Sequence, residues 1–297
     1  MLILEEMMIG DNNGQKIDAG NNSQNTQIGG NLVICNGLTY NEVKQIANDV
    51  YEKNMIEFQK EAKREADKRA NEITQVLLNK INEQFSNEKI GEIIKLFYEP
   101  SIQYALYNLQ KSHVLRNSSE IKDMLVTTMI ERLSKNGNEQ YEVIYDEALK
   151  TLSLLTKEHV VILAIILLVK HTAYNNRQSF DEFLNIIISL FEECPNCKKD
   201  LMYEHLIYAG CIVDKSPYSA LTIDWVRHFH DILGLKENVS DETLNKFIQN
   251  NYNLKRFALL WDDKWMKSVN LTSVGKVLAV TYLKNKNIPI DYGIWIN

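Results

Sequence analysis

The fold of this chain is decided by ten consecutive apolar residues, Val160-Val161-Ile162-Leu163-Ala164-Ile165-Ile166-Leu167-Leu168-Val169. They lie in a predicted helix, residues 157–173, and Thr156 is placed to cap its first turn. Apolar side chains occupy almost every side of this helix, and such a helix is buried rather than half-exposed. We therefore expect it to be the central helix of a helical bundle.

The same apolar run is too short to cross a membrane. A bilayer-spanning helix needs about 20 apolar residues, whereas this run ends after ten, at Lys170 and His171. A membrane-inserting hairpin with the next predicted helix, residues 180–191, would bury Asp181 and Glu182 at a high cost in free energy. We therefore expect the two helices to pack against each other in a water-surrounded bundle.

Composition narrows the class of protein. A length of 297 residues predicts about two domains, and 45% apolar residues suffice for a sizeable core. The net charge is −6 with both signs interspersed, so no global field attracts nucleic acid or an acidic membrane. Residues 1–6 lack the positive start and long apolar core of a signal peptide. Four cysteines without a secretion signal are typical of reduced thiols, and we expect a cytoplasmic protein without a membrane partner.

Residues 1–37 differ from the rest because they hold six of the twelve glycines and an Asn/Gln-rich stretch, residues 21–34. That stretch is nearly free of charge and cannot build a packed core of its own. Copies of it can stack instead, since Asn and Gln side chains form ladders along a cross-β axis. The alternative is a disordered polar leader. The stacking interpretation predicts these oligomerisation residues: Gln24, Asn25, Thr26, Gln27, Ile28 and Gly29.

Gln27-Ile28-Gly29 resembles the core of the RHIM-like amyloid motif, in which Ile or Val, Gln, an aliphatic residue and Gly follow one another. Thr26 departs from the first position, although it is also β-branched. Together with Tyr40-x-Glu-Val and the segment 205–211, this motif resembles an uncharacterised bacterial family that joins it to a helical body. The resemblance implies self-assembly in immune signalling, such as antiviral defence, or in stress signalling. It implies a homo-oligomer or an amyloid-motif partner protein, and no activity.

A long helix is predicted to follow, within residues 38–86. Thr39 and Glu42 have the spacing of a capping box, and no Gly or Pro interrupts the chain from residue 40 to residue 85. Its apolar positions recur about every 3.8 residues, so the apolar stripe drifts around a straight helix in the right-handed sense. Two interpretations remain open, a solvated single helix and the stalk of an oligomer.

The remaining sequence predicts a mainly α protein in four parts: the motif (1–37), the long helix (38–86), a helical bundle (87–215) and a small α+β part (216–297). The predicted bundle helices, besides those already named, are 90–98, 102–115, 120–133 and 141–155. The last part is expected to hold helices 223–233 and 241–250, a β-hairpin of 256–261 with 265–271, an amphipathic helix that residues 271–275 lead into and that runs through Leu283, and a strand 290–296. This order resembles the end of a winged-helix fold, but ten basic against eight acidic residues in 218–297 argue against nucleic acid as a partner.

Candidate chemistry is sparse. Cys194-Pro-Asn-Cys197 resembles half of a zinc knuckle that His205 and Cys211 could complete, yet a pair of reduced thiols or a redox pair fits the same spacing. His228 and His230 point about 200° apart on a helix and cannot share an ion. The adjacent carboxylates Asp262-Asp263 suggest a solvated turn.

No Gly-rich phosphate loop, G-x-S-x-G or H-E-x-x-H sequence is present, so we expect no catalytic motif, no metal and no cofactor. Two alternatives to the signalling hypothesis remain: an enzyme whose pocket only the fold assembles, and a winged-helix regulator. A deep pocket with converging polar groups would favour the enzyme, and a basic surface helix would favour the regulator.

Overall fold

A computed structural model describes residues 40–174, 176–214 and 221–288. Within these ranges the protein is mainly α-helical, with one small two-stranded sheet. The helices are α1 (Tyr40–Gln84), α2 (Asn87–Leu96), α3 (Pro100–Leu115), α4 (Ser119–Ser134), α5 (Glu139–Thr151), α6 (Lys157–Lys170), α7 (Arg177–Glu193), α8 (Asp200–Tyr208), α9 (Thr222–His228), α10 (Asp241–Asn250), α11 (Tyr252–Trp261) and α12 (Ser273–Asn285), with a 3₁₀ turn at Leu152–Leu154. The predicted fold class is confirmed.

The chain forms two compact units, Met1–Lys60 and Glu61–Asn297. In the first unit, the described residues 40–60 are all helical and all exposed. The second unit holds the hydrophobic core. The predicted division of the chain into four parts has different boundaries from these two units, and it stays a prediction.

The core of the second unit is built around α6. All ten residues of the run 160–169 are buried, and Val169, the most accessible of them, is only 5% exposed. Helices α7 and α12 pack against α6, and α12 also packs against α4 and α5. The prediction that this run forms the central buried helix is confirmed.

Helix α12 was expected to be amphipathic, and it is more deeply buried than that. Residues 277–283 are all buried in succession. Thr272 caps the helix, since its Oγ1 accepts the Gly275 N–H at 3.1 Å. The same hydroxyl donates to the Gly210 carbonyl at 2.6 Å, which joins the start of α12 to the chain that follows α8.

The two strands are β1 (Ile212–Val213) and β2 (Asn270–Leu271). They are antiparallel, with Ile212 opposite Leu271 and Val213 opposite Asn270. Lys170, at the end of α6, fixes the segment that leads into β2, because its Nζ donates to the Lys267 carbonyl at 2.9 Å and to the Val269 carbonyl at 2.6 Å. Burial of this ammonium lowers its pKa to about 8.

The predicted β-hairpin of residues 256–261 and 265–271 is wrong. Its first half belongs to α11, which Asn251 caps by accepting the Leu254 N–H at 3.0 Å. Leu254, Phe257 and Trp261 are fully buried at helical spacing, and this amphipathic pattern outweighed a loose strand-like alternation. Only the end of the second half is a strand, and it pairs with β1 instead. The winged-helix hypothesis therefore loses the hairpin on which it depended.

Smaller differences concern helix ends. Helix α9 stops at His228 rather than at residue 233, and α5 stops at Thr151 before the 3₁₀ turn. Thr156 is the N-cap of α6 as expected, and Ser118 is the N-cap of α4. Two further predictions, the Thr39 capping box and the strand 290–296, lie outside the described residues.

Candidate functional site

The predicted oligomerisation residues, Gln24 to Gly29, lie outside the described residues. The structure describes the part of the chain that follows them, which is the first half of α1. Every residue from Tyr40 to Lys60 is exposed. The two alternatives for this part of the helix, a solvated single helix and a stalk in an oligomer, both stay predictions.

Residues 40–58 nevertheless carry an unusual number of exposed apolar side chains. Of 21 large apolar residues exposed in the described chain, eight fall within these 19 residues. At 100° per residue, seven of the eight occupy one half of the helix surface. We call these seven the α1 stripe: Tyr40, Val43, Ile46, Val50, Tyr51, Met55 and Phe58. Their exposed fractions range from 37% for Met55 to 80% for Tyr40. A surface of this kind is typical of an interaction site.

The cysteine motif forms a tight turn after α7. Cys194 ends that helix, and the Cys197 N–H donates to the Cys194 carbonyl at 3.1 Å. A hydrogen bond from residue i+3 to residue i defines a β-turn, in which the two Cα atoms lie within about 7 Å. Both cysteines are reduced and buried. The sequence thus placed these two residues together correctly.

The same turn is attached to the start of α6. Asn196 Nδ2 donates to both carboxylate oxygens of Glu158, at 2.9 and 3.0 Å. The Cys194 thiol donates to the Glu158 carbonyl at 3.7 Å, and the Tyr203 hydroxyl donates to the Cys197 carbonyl at 2.6 Å. We call residues 194–197 with these contacts the thiol turn.

The pKa values of the two thiols are shifted in opposite directions. A hydrogen bond from Cys194 is the main cause that lowers the pKa of Cys197, burial opposes it, and the charge of Lys198 adds to the lowering. The pKa of Cys194 is raised, first by this hydrogen bond and then by burial. Cys197 is therefore the thiol that ionises more readily.

The zinc hypothesis finds no support, because its other two candidate ligands are engaged elsewhere. The thiol of Cys211 is buried and donates to the Ala209 carbonyl at 3.8 Å. His205 Nε2 lies 2.8 Å from the Leu154 carbonyl. Across residues 40–174, 176–214 and 221–288, no group of three or more His, Cys, Asp or Glu side chains is arranged to hold a metal ion.

A histidine pair that the sequence did not reveal joins α6 to α8. The rings of His159 and His205 are stacked with centroids 4.8 Å apart. The backbone N–H of Thr156 donates to His159 Nδ1 at 3.1 Å, so this nitrogen must be unprotonated. Burial lowers the pKa of His159 to about 4, and the positive charges of His205 and Arg116 add to the effect. The i, i+3 spacing of Thr156 and His159 was the only local signal.

The other candidate residues have structural roles. Asp262 Oδ1 accepts the N–H of Thr222 at 2.8 Å and its hydroxyl at 3.1 Å, which fixes the first residue of α9. Asp263 accepts the Trp265 N–H at 3.1 Å. His228 is exposed, and His230 is half-buried beside the Arg227 carbonyl. These residues supply no acid–base pair.

An apolar groove of about 270 Å³ lies between the end of α1 and α2. It is lined by Leu78, Ile81, Asn82, Ile90, Ile93, Ile94, Phe97 and Tyr98. One amide and one phenol are the polar groups in this lining. The groove therefore lacks the converging polar side chains that the enzyme hypothesis requires.

No helix in the described part of the chain combines the length and apolar character needed to cross a bilayer. No curated protein and no solved structure is significantly similar to the chain. A model of one uncharacterised protein family matches residues 37–226 and 227–296, which is more than half of the sequence. The chain therefore belongs to this family.

Proposed function

We propose that this protein is a self-assembling signalling or effector protein of bacterial immunity or stress response. Residues 24–29 would bring copies together as a RHIM-like motif, and the helical body, residues 61–288, would be the part that assembly concentrates. The partner is a second copy of this chain or another protein with an amyloid motif. The proposal requires no cofactor.

The observation that carries the proposal is the α1 stripe, which begins only eleven residues after Gly29. Exposed apolar area costs free energy in water, about 25 cal/mol for each Å². Most of the stability of helices in proteins also comes from packing of an apolar face. A partner that covers the stripe would offset that cost and supply this packing, and in an assembly the neighbouring copies supply that partner at high local concentration.

The experiment measures the mass of the full chain by light scattering over a range of concentrations. Gln27→Asp with Gly29→Asp would place two charges on every rung of a stack, about 4.8 Å from their copies. We expect this variant to lose large assemblies and to keep the helical circular dichroism of the wild type. The matched control is Gly14→Asp with Gln15→Asp, which makes the same changes outside the motif and should assemble normally.

The contribution of the α1 stripe is tested separately. Val43→Asp with Val50→Asp should weaken assembly by at least tenfold in concentration, because it puts charges into the stripe. Gln45→Asp with Gln59→Asp adds the same charge to the opposite face and should have little effect. A wild-type chain that remains monomeric at every concentration, or motif variants that assemble like the wild type, would refute the proposal.

A further inference from the structure

The thiol turn has the geometry of a disulfide precursor. Its β-turn holds the two Cα atoms within about 7 Å, and a disulfide requires a Cα separation of about 4.4–6.8 Å. Both residues are reduced in the structure. The backbone therefore needs little movement for the two sulfur atoms to become bonded.

The two cysteines also differ in the way that a stepwise oxidation needs. Cys197 is 4% exposed, whereas Cys194 and Cys211 are completely buried. The thiolate is the nucleophilic form of cysteine, and a nearby positive charge and a hydrogen bond favour it. Cys197 has both, since it shares the Cys194 thiol hydrogen with the Glu158 carbonyl and Lys198 is the next residue in the chain. A small oxidant thus meets Cys197 first, with Cys194 in contact behind it.

We propose that Cys194 and Cys197 form a redox site that a hydroperoxide converts to an intramolecular disulfide. The Cys197 thiolate attacks one oxygen of hydrogen peroxide, an S–O bond forms, and the O–O bond breaks to release hydroxide. Cys194 then attacks the sulfur of the resulting sulfenic acid, an S–S bond forms, and water leaves. Two thiols and one peroxide thereby give one disulfide and two waters.

The oxidised turn keeps most of its attachment to the fold. Both bonds from Asn196 to Glu158, and the bond from Tyr203 to the Cys197 carbonyl, involve no sulfur atom. Oxidation removes the Cys194 thiol hydrogen, which is shared between the Glu158 carbonyl and Cys197. This inference does not depend on the proposed self-assembly, because it concerns only residues of the second unit.

The test uses the full-length chain with Cys35→Ser, which leaves the three described cysteines. The protein is treated with hydrogen peroxide, unfolded, and labelled with a maleimide polymer so that free thiols are counted by gel shift. We expect two of the three thiols to disappear and to return after treatment with dithiothreitol. Peptide mass analysis should find residues 194 and 197 linked within one chain, with two hydrogens fewer than the reduced peptide.

Two further variants in this background separate the roles of the thiols. Cys211→Ser should still lose two thiols, which leaves none. Cys194→Ser should form a sulfenic acid at Cys197 that dimedone captures, since no partner thiol remains. The proposal is overturned if the folded protein keeps all three thiols while free cysteine in the same solution is consumed, if Cys211 reacts as fast as Cys197, or if the disulfide links two chains.

Discussion

Gly275→Ala is expected to destabilise the protein because of one close backbone approach. Gly275 is the third residue of α12, and a Cβ atom there would lie 2.0 Å from the Cys211 carbonyl oxygen. That oxygen accepts the N–H of Thr272 at 3.0 Å and, at 3.1 Å, shares the Thr272 hydroxyl hydrogen with the Gly210 carbonyl. The helix would have to move by at least 1 Å before the new contact reached 3.0 Å, the shortest that real Cβ atoms show. Both bonds from Thr272 would then be lost or weakened.

The magnitude follows from two opposing effects. A hydrogen bond contributes about 0.5–1.5 kcal/mol, so disturbing the two bonds to Cys211 and the Thr272 cap of α12 costs about 2–4 kcal/mol. Alanine also stabilises a helix by about 0.5–1 kcal/mol relative to glycine. The net loss should be about 1–3 kcal/mol, and any loss of packing between α12 and α6 would add to it.

The assay is urea unfolding, with the loss of helix followed by circular dichroism at about 222 nm. The matched control is Gly91→Ala. Gly91 lies inside α2, and a Cβ atom added there would have no neighbour within 4 Å. The same substitution should therefore stabilise the protein at residue 91, by about 0.5–1 kcal/mol. If Gly275→Ala is as stable as the wild type, the close approach of α12 to Cys211 is wrong.

Two further predictions concern buried ionisable side chains. Arg132 is completely buried and donates to Glu142 at 3.1 Å and to Asp146 at 3.0 Å. Arg132→Met should lower the free energy of unfolding in urea by about 3–5 kcal/mol, because it leaves two carboxylates without their partner. A loss below 1 kcal/mol would contradict this prediction. The pKa of His159 is about 4 in the fold and about 6.5 when unfolded, so its contribution to stability is complete above pH 6.5 and is lost as the pH falls towards 4. His159→Gln keeps an acceptor for the Thr156 N–H and should make the unfolding free energy less dependent on pH between 7 and 4, whereas an unchanged dependence would exclude His159 as a source.

The sequence determined those features that depend on neighbours along the chain. The run 160–169 has no polar face, so it can only be buried, and all ten of its residues are. The caps at Ser118, Thr156 and Thr272 follow from side chains that bond to backbone three residues away. The proximity of Cys194 and Cys197 has the same local origin, since a four-residue turn is enough to create it.

Only the tertiary structure decided which distant segments meet. Strand β2 pairs with β1, about 57 residues earlier in the chain, and two residues of strand give no periodic signal that could name a partner. His205 was considered with the cysteines because it follows them closely, but the packing of α8 places it against His159, 46 residues away. The burial of residues 277–283 likewise depends on α4, α5 and α6 surrounding α12. The local sequence pattern fixes which helices and strands form and which of their faces is apolar. Long-range contacts arise because all apolar faces compete for one core. No short stretch of sequence encodes the outcome of that competition.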